Sequence, residues 1–122
     1  MIGYVSVGTN DIKRAAAYYD KLMAEMGAKR IMDFGTFMVW GTGKGKAAFA
    51  IAEPYNKMPA TVGNGVMVAF DVGEPAKVDA MYKKALELGG KDDGPPGDRG
   101  DNYYGAYFRD LDGNKINFHC WK

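Results

Sequence analysis

The sequence has little of what most catalytic centres and crosslinks are made from: its 122 residues include one cysteine and one histidine. A single Cys excludes an internal disulfide and fits a reducing compartment such as the cytoplasm. There is no surplus of charge either, with sixteen Lys and Arg against fifteen Asp and Glu and a formal net charge of +1. Without a basic surplus or a like-charged tail, phosphate backbones find no footprint, and nucleic acid is not an expected partner. Long apolar runs are missing as well. The longest uncharged stretch, residues 58–70, holds one Pro and two Gly and falls short of the ~20 apolar residues that a bilayer span needs. No basic region precedes an apolar run near Met1, and Asp11 interrupts the only candidate, so no signal peptide is expected. Seventeen Gly is about twice ordinary usage, and with short apolar segments between them it predicts a turn-rich α+β chain. At 47% hydrophobic and 25% charged, the composition is that of one soluble globular domain, with no room for a second.

Hydrophobic spacing divides the chain into elements. Residues 4–7 alternate as a strand, followed by the turn sequence GTND. Ile12, Ala15, Ala16, Tyr19, Leu22, Met23 and Met26 fall at helical spacing, with Asn10 or Asp11 as the cap and Gly27 as the stop. Residues 29–34, 37–40 and 47–52 then read as an antiparallel meander. The stretch 53–63, with two Pro, reads as a linker. Beyond it the pattern begins again. Residues 66–70 form a strand, and a helix opens at Glu74-Pro75 with Val78, Met81, Tyr82, Ala85 and Leu88 as its stripe and Gly89-Gly90 as its end. Residues 91–93, 104–109 and 115–121 read as strands, the last two joined by DLDGN at 110–114. The expected organisation is one domain, 1–122, made of module one (1–52), the linker (53–63) and module two (64–122). Each module reads β-α-β-β-β, and neither alone builds an adequate core.

This doubled arrangement, with MIGYVSV at the start, GVMVAF in the middle and DLDGNKIN near the end, resembles the vicinal oxygen chelate superfamily. That group includes glyoxalase I, bleomycin- and fosfomycin-resistance proteins and extradiol dioxygenases. The resemblance implies two curved four-stranded sheets forming a cup, with a divalent metal held by His or Glu from the first and last strands of the modules. By position those sites fall on Tyr4, Ala50, Met67 and Asn117. A phenol, a methyl, a thioether and an amide are not the ligands that Mg²⁺, Mn²⁺, Zn²⁺, Ni²⁺ or Fe²⁺ take, so a divalent metal is disfavoured and no cofactor is expected. Without a Lewis acid, metal-dependent glyoxalase or dioxygenase chemistry is disfavoured with it.

Strand parity then selects the side chains facing the cup. Ile116, Phe118 and Cys120 suit the helix side, which leaves Asn117 and His119 inward. Tyr4 and Ser6 follow in the first strand, Ala50 and Ala52 in the fourth, and Met67 and Ala69 in the fifth, giving a mostly apolar pocket with four polar groups. His119 is able to serve as an acid or base near neutrality, with Tyr4 as a carbonyl-polarising partner. The favoured alternative is that His119 hydrogen-bonds Tyr4, Asn117 or water and does no chemistry. Cys120 points away from His119 and reads as a buried small hydrophobe. The segment 94–105 reads as a flexible loop, either a lid or a subunit interface, with Arg99 as an anion clamp and Tyr103 or Tyr104 as a stacking surface. The glycine-rich 41–47 lacks P-loop spacing and reads as a hairpin turn, and 110–114 lacks the distal Glu of a calcium loop. Two function classes follow. One is a metal-free protein that binds a small, partly apolar molecule, as bleomycin-resistance proteins do. The other is a lyase, isomerase or dioxygenase of the glyoxalase type, with atypical metal ligands or with Tyr4 and His119 alone. A homodimer is compatible with paired modules, although no residue pattern demands one.

Overall fold

The computed structural model describes residues 1–122. The chain divides into two compact units, Met1–Val62 and Gly63–Lys122. The first contains β1 (Tyr4–Gly8), α1 (Ile12–Ala24), β2 (Lys29–Asp33), β3 (Phe37–Gly41) and β4 (Ala48–Ala52). The second contains β5 (Val68–Asp71), α2 (Pro75–Glu87), β6 (Lys91–Asp98), β7 (Tyr103–Arg109) and β8 (Lys115–Trp121). Each has a four-stranded mixed sheet, ordered β1-β4-β3-β2 and β5-β8-β7-β6. In each, the first and last strands run parallel and the others antiparallel. The class is α+β, and the β-α-β-β-β repeat read from the sequence is present in both units. No helix is long and apolar enough to cross a membrane.

In the first unit Asp11 caps α1, its carboxylate accepting the Arg14 N–H. Such a cap contributes about 1 kcal/mol. The helix closes at Gly27, whose φ of 73° lets the Ala28 N–H return to the Met23 carbonyl. Ala15, Ala16, Tyr19, Leu22 and Met23 are buried as the periodicity predicts, and Tyr18 joins them. Tyr19 packs against Phe49 and Trp40, with ring centroids 4.8 and 6.0 Å away. This places Phe49 and Ile51 on the helix side of the sheet and Tyr4, Ser6 and Ala50 on the other.

In the second unit Pro75 opens α2 at a position where its missing N–H has no partner to lose. Val78, Met81 and Ala85 are fully buried, as are Ala106, Phe108, Ile116 and Phe118 in the sheet beneath. Burying each large apolar side chain contributes roughly 1.5–3 kcal/mol. The turn after β7 is built on Asp110. Its carboxylate accepts the N–H groups of Asp112 and Asn114 at 2.9 Å and the Asn114 side-chain amide at 3.0 Å.

Two boundaries differ from the sequence reading. Strand β5 starts at Val68 rather than residue 66, because the chain turns through Gly63–Val66, where the Val66 N–H bonds the Gly63 carbonyl and Gly65 has a φ of 94°. The segment 94–105 is not a long flexible loop. Strand β6 runs to Asp98 and β7 begins at Tyr103, so only residues 99–102 turn. Gly94, Pro95, Pro96 and Gly97 lie in the strand because β6 is at the sheet edge, where proline costs no ladder bond, and its pairing slips at Gly94.

Candidate functional site

The sequence-predicted side chains fall on three surfaces. On the open face of the first sheet, Tyr4 is 61% exposed and meets Phe37 edge-on at 5.9 Å. Ser6 lies opposite Ala50, which is fully buried. On the open face of the second sheet, Ala69 and Tyr107 flank Asn117, and Gly105 lies opposite His119. Met67 precedes β5 and is outside the ladder. Tyr104 is on the helix side of the same sheet, where its hydroxyl donates to Asp79 of α2 at 2.7 Å. Both β6–β7 tyrosines were assigned to one ligand surface by the loop reading; strand alternation separates them, and Tyr103 alone shares the face of Asn117.

On the open face of the second sheet, Asn117 is fully buried and organises its neighbours. Its Nδ2 donates to the Ala106 carbonyl at 3.1 Å, which fixes the amide orientation and leaves Oδ1 toward the other two partners. Oδ1 accepts the Tyr103 hydroxyl at 3.1 Å and lies 2.7 Å from His119 Nδ1. An amide oxygen accepts only, so Nδ1 carries the proton in this bond. In neutral His119 the lone pair is therefore on Nε2, which has no partner within the chain. The bland possibility for His119, a satisfied hydrogen bond, and the chemical one, a usable base, thus reside on different atoms of one ring.

The Tyr103 ring stacks on His119, with centroids 5.1 Å apart and planes 15° from parallel, and Trp121 meets Tyr103 edge-on at 4.7 Å. Gly105 permits this: a Cβ there would come within 2.8 Å of the Tyr103 ring and 3.3 Å of Asn117 Nδ2. Burial, with Tyr107 adding to it, pushes the Tyr103 phenol above its ordinary value, while the Asn117 bond and Arg99 act in the opposite sense. Arg99 folds back over this face, donating to the Pro95 carbonyl at 2.5 Å with its guanidinium 5.5 Å from the Tyr107 ring. Lys115 Nζ lies 5.3 Å from the same ring. Tyr107, Lys115 and Trp121 were not among the predicted site residues. The alternation through 103, 105 and 107 and through 117, 119 and 121 carries the signal for two of them, once β7 is known to start at Tyr103. Cys120 is buried among the core residues, and burial raises its thiol above the ordinary value. A separate open groove of about 600 Å³ in the first unit is lined by Thr9, Thr36, Glu53, Lys57 and Met58 among others, and includes none of the predicted residues.

A family model described as Glyoxalase/Bleomycin resistance protein/Dioxygenase superfamily matches residues 1–118. The chain belongs to that superfamily. A glyoxalase/bleomycin resistance protein from Albidiferax ferrireducens is 34% identical, with a TM-score of 0.89 and 98% of each chain covered. A glyoxalase/bleomycin resistance protein/dioxygenase family enzyme from Burkholderia phytofirmans is 20% identical, with a TM-score of 0.79 and 98% of each chain covered. A lactoylglutathione lyase from Agrobacterium tumefaciens is 20% identical at a TM-score of 0.71, covering 98% of this chain and 92% of its own. The last two likenesses are of fold alone. Among curated proteins none matches significantly.

The divalent cation that the superfamily implies does not suit the residues present. Tyr4 and Ala50 supply a neutral phenol and a methyl, and Met67 a thioether outside the strand. Asn117 is the one oxygen donor of suitable type in the second unit's pair, and its oxygen is already engaged by Tyr103 and His119. No group of three or more His, Cys, Asp or Glu side chains gathers elsewhere in a way that would hold an ion.

Proposed function

We propose that this superfamily member binds a small, partly apolar molecule through hydrogen bonds and aromatic contacts, without a divalent metal. The observation that carries this reading is the commitment of Asn117: both ends of its amide are spent within the chain, on Ala106, Tyr103 and His119. A side chain held this way serves as a scaffold that orients Tyr103 and His119. Tyr103, His119 and Trp121 then present ring surfaces of the kind that hold small planar bodies. Elemental mass spectrometry of untagged protein, purified without chelator and incubated with Ni²⁺, Zn²⁺, Mn²⁺ or Fe²⁺, tests the metal part. Less than about a tenth of an ion per chain is the expected result. Retention near one per chain overturns it and restores the metal-dependent lyase or dioxygenase reading. Association into a homodimer and a cytoplasmic location belong to the same proposal, and sedimentation at several concentrations checks the first.

The second reading is a metal-independent lyase or isomerase in which His119 acts as base. The feature in its favour is the Nε2 lone pair of neutral His119, which no group in the chain engages. A His119→Ala variant whose turnover is unchanged removes this reading.

A further inference from the structure

The charge pattern on the open face of the second sheet narrows the ligand class. Two cations, Arg99 and Lys115, lie against the one ring of Tyr107, at 5.5 and 5.3 Å. The Arg99 guanidinium makes a single hydrogen bond, to the Pro95 carbonyl, so most of its five N–H donors have no acceptor in the chain. Gly97 makes room for it, and Gly94 makes room for the Tyr107 ring that it covers, which a Cβ would approach to 2.9 Å. A Cβ on Gly97 would come within 2.7 Å of Arg99 Nη1, and one on Gly94 within 3.5 Å of Nη2. The guanidinium is thus seated on the sheet with its fork available.

The carboxylates near this face are already occupied. Asp93 is shared between Arg109 at 3.1 Å and Lys115 at 3.3 Å. Asp71, opposite His119 in the ladder, turns its carboxylate to the Gly73 N–H. Asp98 pairs with Lys122 and the Gly100 N–H. None neutralises Arg99. A few residues away along the same face are the stacked rings of Tyr103 and His119, the exposed Trp121, and an Nε2 lone pair that accepts a proton donor.

Resting on the binding reading above, we propose that this face recognises a planar aromatic carboxylate. Arg99 takes the carboxylate, Tyr103 and His119 contact the ring system, and His119 Nε2 accepts from a hydroxyl or N–H on the ring. An uncharged aromatic leaves the guanidinium unused, and an aliphatic acid leaves the ring surfaces unused.

The test compares 4-hydroxybenzoate with its neutral amide and with hexanoate, by ¹H–¹⁵N shift perturbation on the full chain. The expected result is that 4-hydroxybenzoate binds at least about tenfold more tightly than either analogue. Its perturbations fall on Tyr103, Tyr107, Gly105 and His119, and Arg99→Gln removes the preference over the amide while leaving the spectrum folded. Equal binding of acid and amide at these residues overturns the anion assignment but leaves small-molecule binding standing. Perturbations confined to other residues, or a preference that survives Arg99→Gln, overturn the placement. Absence of binding by all three probes overturns the proposal, while the metal measurement separately decides the metal-free reading.

Discussion

Asn117 Oδ1 stands 2.7 Å from His119 Nδ1, two residues along the same face of one strand. Because Nδ2 of the same amide is fixed on the Ala106 carbonyl, this contact determines where the imidazole proton resides. In the neutral ring, ¹⁵N spectra are expected to show Nδ1 as the protonated nitrogen and Nε2 as the unprotonated one. Asn117→Leu is expected to remove that bias. A wild-type spectrum with the proton on Nε2 contradicts the assignment.

The Tyr103 stack depends on an absent side chain. Gly105→Ala places a methyl where the Tyr103 ring lies, with the Phe118 carbonyl only 3.5 Å away on the same site. The expected loss is about 1–3 kcal/mol, since the Tyr103 ring and the Asn117 amide, which must give way, are held by their hydrogen bonds to each other and to the Ala106 carbonyl. Urea unfolding measures the loss, and the ring-current shifts of His119 report displacement of the stack.

Asp110 is 5% exposed and satisfies two backbone N–H groups and the Asn114 amide. Asp110→Ala strips those donors of their acceptor at a site that water reaches poorly. The expected cost is about 2–3 kcal/mol, read as a lowered urea midpoint with an unchanged m-value. Asp112→Ala, whose side chain is half-exposed in the same turn, is expected to cost less.

Acid sensitivity is expected to concentrate in the second unit. The Lys122 ammonium and then the Gly100 N–H hold Asp98 below the ordinary aspartate value, and the Gly94 N–H and then the Tyr82 hydroxyl do the same for Asp92. A lowered folded value means that these groups stabilise fully above the unfolded value of ~3.9, and that the contribution disappears as pH falls through the folded values. Stability followed from about pH 6 to pH 2 is expected to fall below about pH 4, and less steeply in Asp98→Asn than in the wild type. An identical acid limb in the variant contradicts the Asp98 assignment.

How much of this was legible in the sequence depends on the signal each element carries. Helices α1 and α2 were readable because Leu22, Met23, Val78 and Met81 recur at helical spacing and Gly27 and Gly89 mark the ends. Strand β6 was not, because Gly-Pro-Pro-Gly is a loop signal unless the strand is known to be an edge, and edges are defined only by the finished sheet. That misreading carried into the site. In a loop Tyr103 and Tyr104 are both free to face a ligand; in a strand one of them must turn to Asp79. That Asn117 and His119 face away from α2 followed from parity alone. Asn117 as a buried hub did not, since it requires the register that sets Tyr107 and Ala69 beside it. Tyr107 and Lys115 were missed for the same reason.

The two prolines of β6 have a further effect. An outer strand normally displays a row of amide hydrogens that invites a neighbouring chain to continue the ladder. Backbone donors alternate in direction along a strand, so the adjacent Pro95 and Pro96 take one donor from that row, and the slipped pairing around Gly94 bends what is left. At the opposite edge, β5 is only four residues long. Stacking of this sheet into fibrils by strand addition is therefore poorly templated at either side, and removing the prolines would create a growth edge.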